Sequence, residues 1–294
     1  MDAASEKTEK LIPDFSFRQR IRRRNVCWHQ QAFEGIHAPN TCKTETLDRN
    51  HDKQDWRCCL FWQRKLSNKL NAHEFACKHD IKTARRYWSG RDLSTLNLAE
   101  LPTQYVIKPS FGSCSNNVFL IKDGIDLFQQ CEISNPALMA SLDKIVEVDP
   151  RVHLIVEQFV RDEAGKYRIP TEYQFYMFAG NIELICVIHR RAPNHLTQDR
   201  FYTPDWEPTA DLIRAIYPDK AEITAPPRCF EEMKDQARRL GTAYDSFVRL
   251  DFFATDEGPV FCEFTATPNM GRGYTPIGDN ILAAAWQRHF TDKI

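Results

Sequence analysis

The chain has 294 residues, 42% hydrophobic and 27% charged, the make-up of a folded protein rather than a disordered one. Its 39 Lys and Arg against 40 Asp and Glu leave a net charge of −1, so no whole-protein field favours nucleic acid or an anionic membrane. No run of about 18 apolar residues is present, so no helical membrane span is expected.

The start, Met1 to Lys7, lacks an apolar stretch and reads as no secretory signal. The ten cysteines are scattered without a Cys-x-x-Cys, which suits buried thiols in a reducing, cytoplasmic compartment. Residues 1–62 are polar and Arg-rich (Arg18, Arg20, Arg22, Arg23, Arg24) and read as an irregular, solvated basic region with short helices. Cys27, His29, His37, Cys42, His51, Cys58 and Cys59 fall here too, without the paired spacings of usual zinc sites.

Residues 63–80 read as a helix, with Leu66, Leu70, His73 and Cys77 at three- and four-residue steps. After a linker from Arg91 to Pro102, Tyr105–Lys108 and Val118–Ile121 read as strands joined by the small-residue loop Ser110–Asn117. Residues 124–147 read as helices interrupted near Asn135-Pro136, and His153–Gln158 as a buried strand. Glu172–Ala179 and Ile182–His189 pair as a hairpin about Gly180-Asn181, which puts Tyr173, Phe175, Met177, Leu184, Cys186 and Ile188 on one apolar face. Pro226-Pro227 precedes an amphipathic helix with Phe230, Met233, Ala237 and Leu240 on one side. Two strands, a loop from Pro268 to Pro276 and a helix from Ile281 to Phe290 complete the chain. This mixture, with antiparallel hairpins towards the C-terminus, predicts an α+β fold.

The segment Phe247–Thr265 carries the most chemistry. A hairpin about Asp256-Glu257-Gly258 pairs Thr255 with Pro259, Phe253 with Phe261, Asp251 with Glu263 and Arg249 with Thr265. Alternation then gives Leu250, Phe252, Val260, Cys262 and Phe264 one apolar face and Arg249, Asp251, Glu263 and Thr265 the other. Two carboxylates directly opposite one another repel. Either a Mg²⁺-type ion with a preference for hard oxygen neutralises them, or Arg249 ties them into a surface salt-bridge network. Upstream, Lys108 ends a strand. Gly112, Ser113, Ser115, Asn116 and Asn117 can then turn backbone N–H groups toward a phosphate, or form a plain turn. In the other hairpin Glu172, Gln174 and His189 lie on the polar face, ahead of Arg190 and Arg191.

In order, these pieces resemble the ATP-grasp superfamily, and most closely its TupA-like branch, over about Asn68 to Asp279. The resemblance rests on Asn68-Lys69-Leu70 with Ala72; Leu101-Pro102 before Tyr105-Val106-Ile107-Lys108-Pro109; Gly112-Ser113; and Val156-Glu157-Gln158-Phe159. It continues through Glu172-Tyr173-Gln174-Phe175, Phe201-Tyr202 with Asp205-Trp206, Val248-Arg249-Leu250-Asp251, and Glu263-Phe264-Thr265-Ala266-Thr267-Pro268 before Gly271. The resemblance implies two α+β subdomains clasping ATP: 63–160 with a phosphate flap, and 161–294 with a metal site, behind a short atypical region 1–62. It implies that Lys69 and Lys108 contact the nucleotide, that Gly112, Ser113, Ser115 and Asn116 cover its phosphates, and that Glu157, Gln158 and Phe159 form the adenine hinge. Glu172 would lie near the ribose. Asp251, Glu263 and Thr265 would hold Mg²⁺, and Arg249, Arg190 and Lys108 would face the transferred phosphoryl group. Arg272 is the candidate for a substrate carboxylate. Cys114 departs from the Gly often found at its place.

The activity implied is ATP-driven joining of a small-molecule carboxylate to an amine through an acyl phosphate. Two alternatives stay open: a small-molecule kinase, and a nucleotide- or RNA-binding module using Arg18–Arg24, where consecutive arginines suit phosphate backbones.

Overall fold

A computed structural model describes residues 16–30, 45–58, 62–112, 115–149, 151–190, 197–209, 213–217 and 221–290. Two antiparallel sheets organise it. The six-stranded sheet comprises β1 (Arg86–Gly90), β2 (Gln104–Pro109), β3 (Phe119–Lys122), β4 (Ile125–Asp126), β5 (Cys131–Glu132) and β6 (Leu154–Gln158), in the order β1-β6-β2-β3-β4-β5. The five-stranded sheet comprises β7 (Thr171–Phe178), β8 (Asn181–His189), β9 (Gln198–Tyr202), β10 (Phe247–Thr255) and β11 (Gly258–Thr265), in the order β11-β10-β7-β8-β9. The described helices are α1 (Phe17–Gln30), α2 (Lys53–Trp56), α3 (Lys69–Lys78), α4 (Asn135–Val148), α5 (Phe230–Tyr244) and α6 (Pro276–His289), besides short 3₁₀ turns. None is long and apolar enough to cross a membrane.

Helix α4 lays Leu138 and Leu142 on Ile107, Leu154 and Val156 of the first sheet. The second sheet is buried on both faces. Helices α3 and α5 cover one with Phe75, Ala76, Met233, Ala237 and Leu240; α1 and α6 cover the other with Phe17, Ile21, Leu282 and Trp286.

Four expectations are corrected. Residues 17–30 form one 14-residue helix rather than a solvated arm. Phe17, Ile21 and Arg24 recur at four and three residues and turn one face inward. The guanidinium of Arg24 is accepted in the core because its N–H groups meet carbonyls and its plane lies 5.0 Å from the Trp286 ring. Second, residues 124–132 are turns and two short strands. Asn135-Pro136 begins α4 instead of interrupting it, because Pro fits the first helical turn and Ser134 Oγ accepts from Ala137 N. Third, the predicted helix over 63–80 starts as a 3₁₀ turn, Trp62–Ser67, and becomes α-helical only after the Asn68 cap. Fourth, the 171–189 hairpin turns on Ala179-Gly180, one residue early, with a bulge after Tyr176. Leu184, Cys186 and Ile188 consequently pack with Tyr176 and Phe178, while Ile182, Ile185 and Val187 join Phe175 and Met177. A one-residue slip exchanges faces, and a sheet apolar on both faces accepts either set. His37, Cys42 and Cys59 lie outside the described residues. Within those, no three His, Cys, Asp or Glu side chains gather around a metal position.

Candidate functional site

A cleft of about 980 Å³, counting its open mouth, runs between the sheets. The first sheet contributes Val106 and Lys108 of β2, Leu120 of β3 and the chain from Glu157 to Val160, where β6 ends. The second contributes Glu172 of β7, Asp251 and Phe253 of β10, and Cys262 and Glu263 of β11, with Arg190 just past β8. The loop after β2 adds Gly112, Ser115 and Asn116, and α3 adds Lys69 from its first position. Asn68 fixes that helix start by accepting from Leu70 N, and Lys69 N donates to Ser110 O at 2.7 Å, tying the helix to the loop. Its wall combines apolar side chains (Val106, Leu120, Phe128, Phe159, Ile169, Phe253) with charged ones (Lys69, Lys108, Glu157, Glu172, Arg190, Asp251, Glu263).

Asp251 and Glu263 face one another as register partners, as alternation predicts. Arg249 pairs with Thr265, also as expected, but the turn side is offset. Asp256-Glu257 form the turn, Gly258 opens β11 at φ +96°, and a bulge lies between Asp251 and Phe252. Phe253 therefore pairs with Val260, and Phe261 with Phe252. The bulge moves Cys262 out of the predicted apolar face and into the cleft wall beside Glu263, while Phe261 takes its place in the core.

The charges interlock. Arg249 donates from Nε and Nη2 to the two Asp251 oxygens, at 2.7 and 2.6 Å, and from Nη2 to Thr265 Oγ1 at 3.1 Å. Thr265 Oγ1 donates to Glu263 at 3.3 Å, and Lys69 Nζ lies 3.4 Å from that carboxylate. Arg190 Nε donates to Glu172 at 2.9 Å, and Gln174 Nε2 to its other oxygen at 2.5 Å. Lys108 Nζ pairs with Glu157 at 2.5 Å.

The acidities diverge. Asp251 is wholly enclosed; burial, with Glu172 and Glu263 nearby, pushes its carboxyl well above the usual range against the pull of Arg249. Burial works the same way on Glu172, but Arg190 and Arg249 outweigh it and bring that carboxyl down to about 2. Burial also opposes ionisation of Glu263, and Lys69 and Arg249 overcome it, lowering its pKa. Burial disfavours the charged Lys108, yet Glu157 holds its ammonium above the usual lysine range.

Twelve residues singled out in the sequence line this cleft: Lys69, Lys108, Gly112, Ser115, Asn116, Glu157, Gln158, Phe159, Glu172, Arg190, Asp251 and Glu263. Arg249 and Thr265 stand behind the acidic pair, outside the cleft wall, and Arg272 is an exposed residue away from it. Ser113 lies outside the described residues. Sequence reasoning missed Phe253, Cys262, Ile169 and Pro170, which form wall. Alternation puts Gln174 beside Glu172 on the polar face, where it steadies that carboxylate; nothing in the sequence announces the bulge that delivers Cys262.

The family model for TupA-like ATP-grasp proteins matches residues 60–282. The chain belongs to the TupA-like ATP-grasp family. No curated protein sequence matches it. Among solved structures, this ATP-grasp chain is similar to D-alanine–D-alanine ligase from Bacillus anthracis, with TM-score 0.51 and 16% identity over 76% of this chain and 64% of that one. The same ligase complexed with ATP gives 0.48 and 16%, over 75% and 62%. D-alanyl-alanine synthetase A from Vibrio cholerae gives 0.49 and 14%, over 78% and 67%. At this identity the likeness speaks for the ATP-grasp fold alone, and the chain spans under two thirds of the Bacillus anthracis ligase's length.

Proposed function

We propose that this ATP-grasp protein is an ATP-dependent carboxylate–amine ligase. The observation that carries the reading is one cleft whose wall joins apolar side chains that suit a base with Lys69, Lys108, Arg190 and the facing Asp251–Glu263 pair. The two clasping bodies are the six-stranded sheet with α4 and the five-stranded sheet with its helices. The backbone of Glu157–Phe159 would receive the adenine, Glu172 would lie towards the ribose, and Lys69, Lys108 and the loop containing Gly112, Ser115 and Asn116 would meet the phosphates.

The donor set suits Mg²⁺. Two hard carboxylates stand opposed, and an ion that keeps waters and shares phosphate oxygens needs no third protein ligand. Burial, with Glu172 and Glu263 close by, holds the Asp251 carboxyl well above its usual range, and a cation beside it would favour the charged form. Asp251 and Glu263 would hold the ion, which when bound supplies neutralising charge to the phosphate oxygens.

The residues would then divide the work. Lys108, freed from Glu157, and Lys69 would hold the triphosphate in line. Arg190 would face the transferred group while Glu172 and Gln174 fix its direction, and Arg249 would act beside it through Asp251 and Thr265. The substrate carboxylate oxygen attacks the γ-phosphorus and ADP departs with the bridging oxygen. The amine then attacks the acyl carbon, phosphate leaves, and the amine nitrogen loses its proton. No protein nucleophile is required.

The deciding experiment is a screen of carboxylates and amino acids for ADP and phosphate release. A ligase releases both only with acid and amine together. ADP formed with a phosphorylated product and no amine means a kinase and overturns the reading.

A further inference from the structure

Helix α1 lies outside the segment that matches the family, yet it is sewn to the strands of the candidate metal site. Its first two amides, Phe17 N and Arg18 N, donate to the Asp279 carboxylate of α6 at 3.2 and 2.8 Å. Its inner face lies against the turn Pro268–Gly271 that follows β11, so closely that a Cβ on Gly271 would come within 3.0 Å of the Arg18 backbone. Two turns further on, Arg24 is 5% exposed. Its Nη1 donates to Phe247 O at 2.7 Å and to Ala266 O at 3.2 Å, and its Nη2 to Ser246 Oγ at 2.7 Å.

Those two carbonyls occupy a particular place. Phe247 is the first residue of β10, and Ala266 follows the last residue of β11. The β10–β11 ladder ends at Arg249 and Thr265, and beyond it the strands part. One guanidinium nitrogen bridges the parted ends, acting as a further rung contributed from a distant helix.

A clamp at that end matters because of the bulge at the other. A hairpin's register is normally set by its turn. Here the bulge between Asp251 and Phe252 interrupts the regular ladder between the turn and the acidic pair. On the open side the opposition of Asp251 and Glu263 is held by two rungs, Leu250 with Phe264 and Arg249 with Thr265, and by whatever closes that end.

We propose that Arg24 is a positioning residue for the metal site: from α1 it clamps the open end of the β10–β11 hairpin and so holds Asp251 and Glu263 in register for the cation that accompanies the nucleotide. The clamp rests on the reading of this cleft as a Mg·ATP site. Groups bonded directly to a metal ligand typically change metal affinity about 10- to 100-fold, and Arg24, which acts through the strand ends, belongs at the lower end of that range.

The test compares Arg24→Ala and Arg24→Lys with the unmodified protein. Binding of a fluorescent ATP analogue is measured in EDTA and across a Mg²⁺ titration, together with amide hydrogen exchange of the nucleotide-free protein and thermal unfolding. Arg24→Ala is expected to raise the half-saturating Mg²⁺ concentration about tenfold, with metal-free nucleotide affinity within about twofold. Exchange should rise at Phe264 to Thr267 and stay unchanged at Thr255 to Gly258. Arg24→Lys, which keeps the charge but reaches fewer acceptors, should fall between. If Arg24→Ala does not fold, Ser246→Ala removes one of the three clamp bonds and should give the same pattern at smaller amplitude. A folded variant with unchanged Mg²⁺ dependence and exchange overturns the clamp. So does a variant that loses metal-free nucleotide affinity to the same extent, because that marks general loosening. If the unmodified protein shows no Mg²⁺-dependent nucleotide binding, the reading of the cleft fails instead, and the exchange pattern alone still judges the hairpin clamp.

Discussion

Two charged clusters sit on the same face of the five-stranded sheet and differ in how their charge is matched. At the β8–β9 side, Arg214 donates to Asp199 at 2.9 Å and to Cys186 Sγ at 3.2 Å, stacked near Phe201 and Tyr217, with both charged side chains sealed from solvent. At the cleft side, Glu172, Asp251 and Glu263 share Arg190, Arg249 and Lys69, and burial still pushes the Asp251 carboxyl well above its usual range. The first cluster holds strand β9 and the chain around residue 214 in place. The second crowds three carboxylates together at an open mouth, where a visiting cation would lower the free energy. Burial alone does not mark a binding site; buried carboxylates crowded together and facing a cleft do.

The comparison can be broken experimentally. The largest effect should follow Asp199→Ala, which leaves the Arg214 charge buried without its carboxylate; a loss of about 3–5 kcal/mol in urea unfolding is expected, with nucleotide affinity of the folded fraction retained. If Asp199→Ala proves as stable as the parent, the sealed cluster is not structural. Next comes acid. Glu172 titrates near 4.5 unfolded and about 2 folded, so the unfolded chain binds more protons between those values. Its contribution is fully present above about pH 4.5 and disappears as pH falls toward 2, on the order of 3 kcal/mol. Glu172→Gln should flatten that limb of a stability–pH curve, and an unchanged limb would assign it elsewhere. Glu263→Ala comes third: Mg·ATP turnover should fall about 100-fold with little change in the thermal midpoint, since 29% of this side chain is exposed. Full turnover in that variant would remove the metal assignment. The smallest effect belongs to Tyr274→Phe, which deletes the 3.0 Å contact between the Tyr176 and Tyr274 hydroxyls and should cost about 1 kcal/mol without altering Mg²⁺ dependence.

Much of this was legible in the sequence because strand alternation is a strict code. The facing of Asp251 and Glu263 followed from counting by two, and the two hairpins and α5 fell within a few residues of their predicted places, whereas strand β9 was not predicted. What escaped has physical reasons. A bulge adds one residue to one strand without altering its composition, so Cys262 and Phe261 exchanged roles unannounced. A turn one residue early reversed half of the 171–189 hairpin, since apolar residues on both faces leave no pattern to reveal it. Arginine reads as solvated in any hydropathy scan. Arg24 entered the core because two backbone carbonyls and an indole face awaited it, and those partners lie more than 220 positions away. The Arg249–Asp251 bond shows how the alternatives of salt bridge and metal pair, opposed in the sequence reading, coexist: one carboxylate is tied while its neighbour across the ladder stays open to the cleft.

The bulge also has a bearing on protein design and natural variation. The tip at Asp256-Glu257 can be lengthened, shortened by exchange for another two-residue turn, or fused to a tag, because such edits stop at the bulge. A single deletion between Gly258 and Cys262 is different: it would consume the extra residue, straighten the ladder with Asp251 still opposite Glu263, and set Cys262 opposite Phe252, turning it from the cleft wall toward the core.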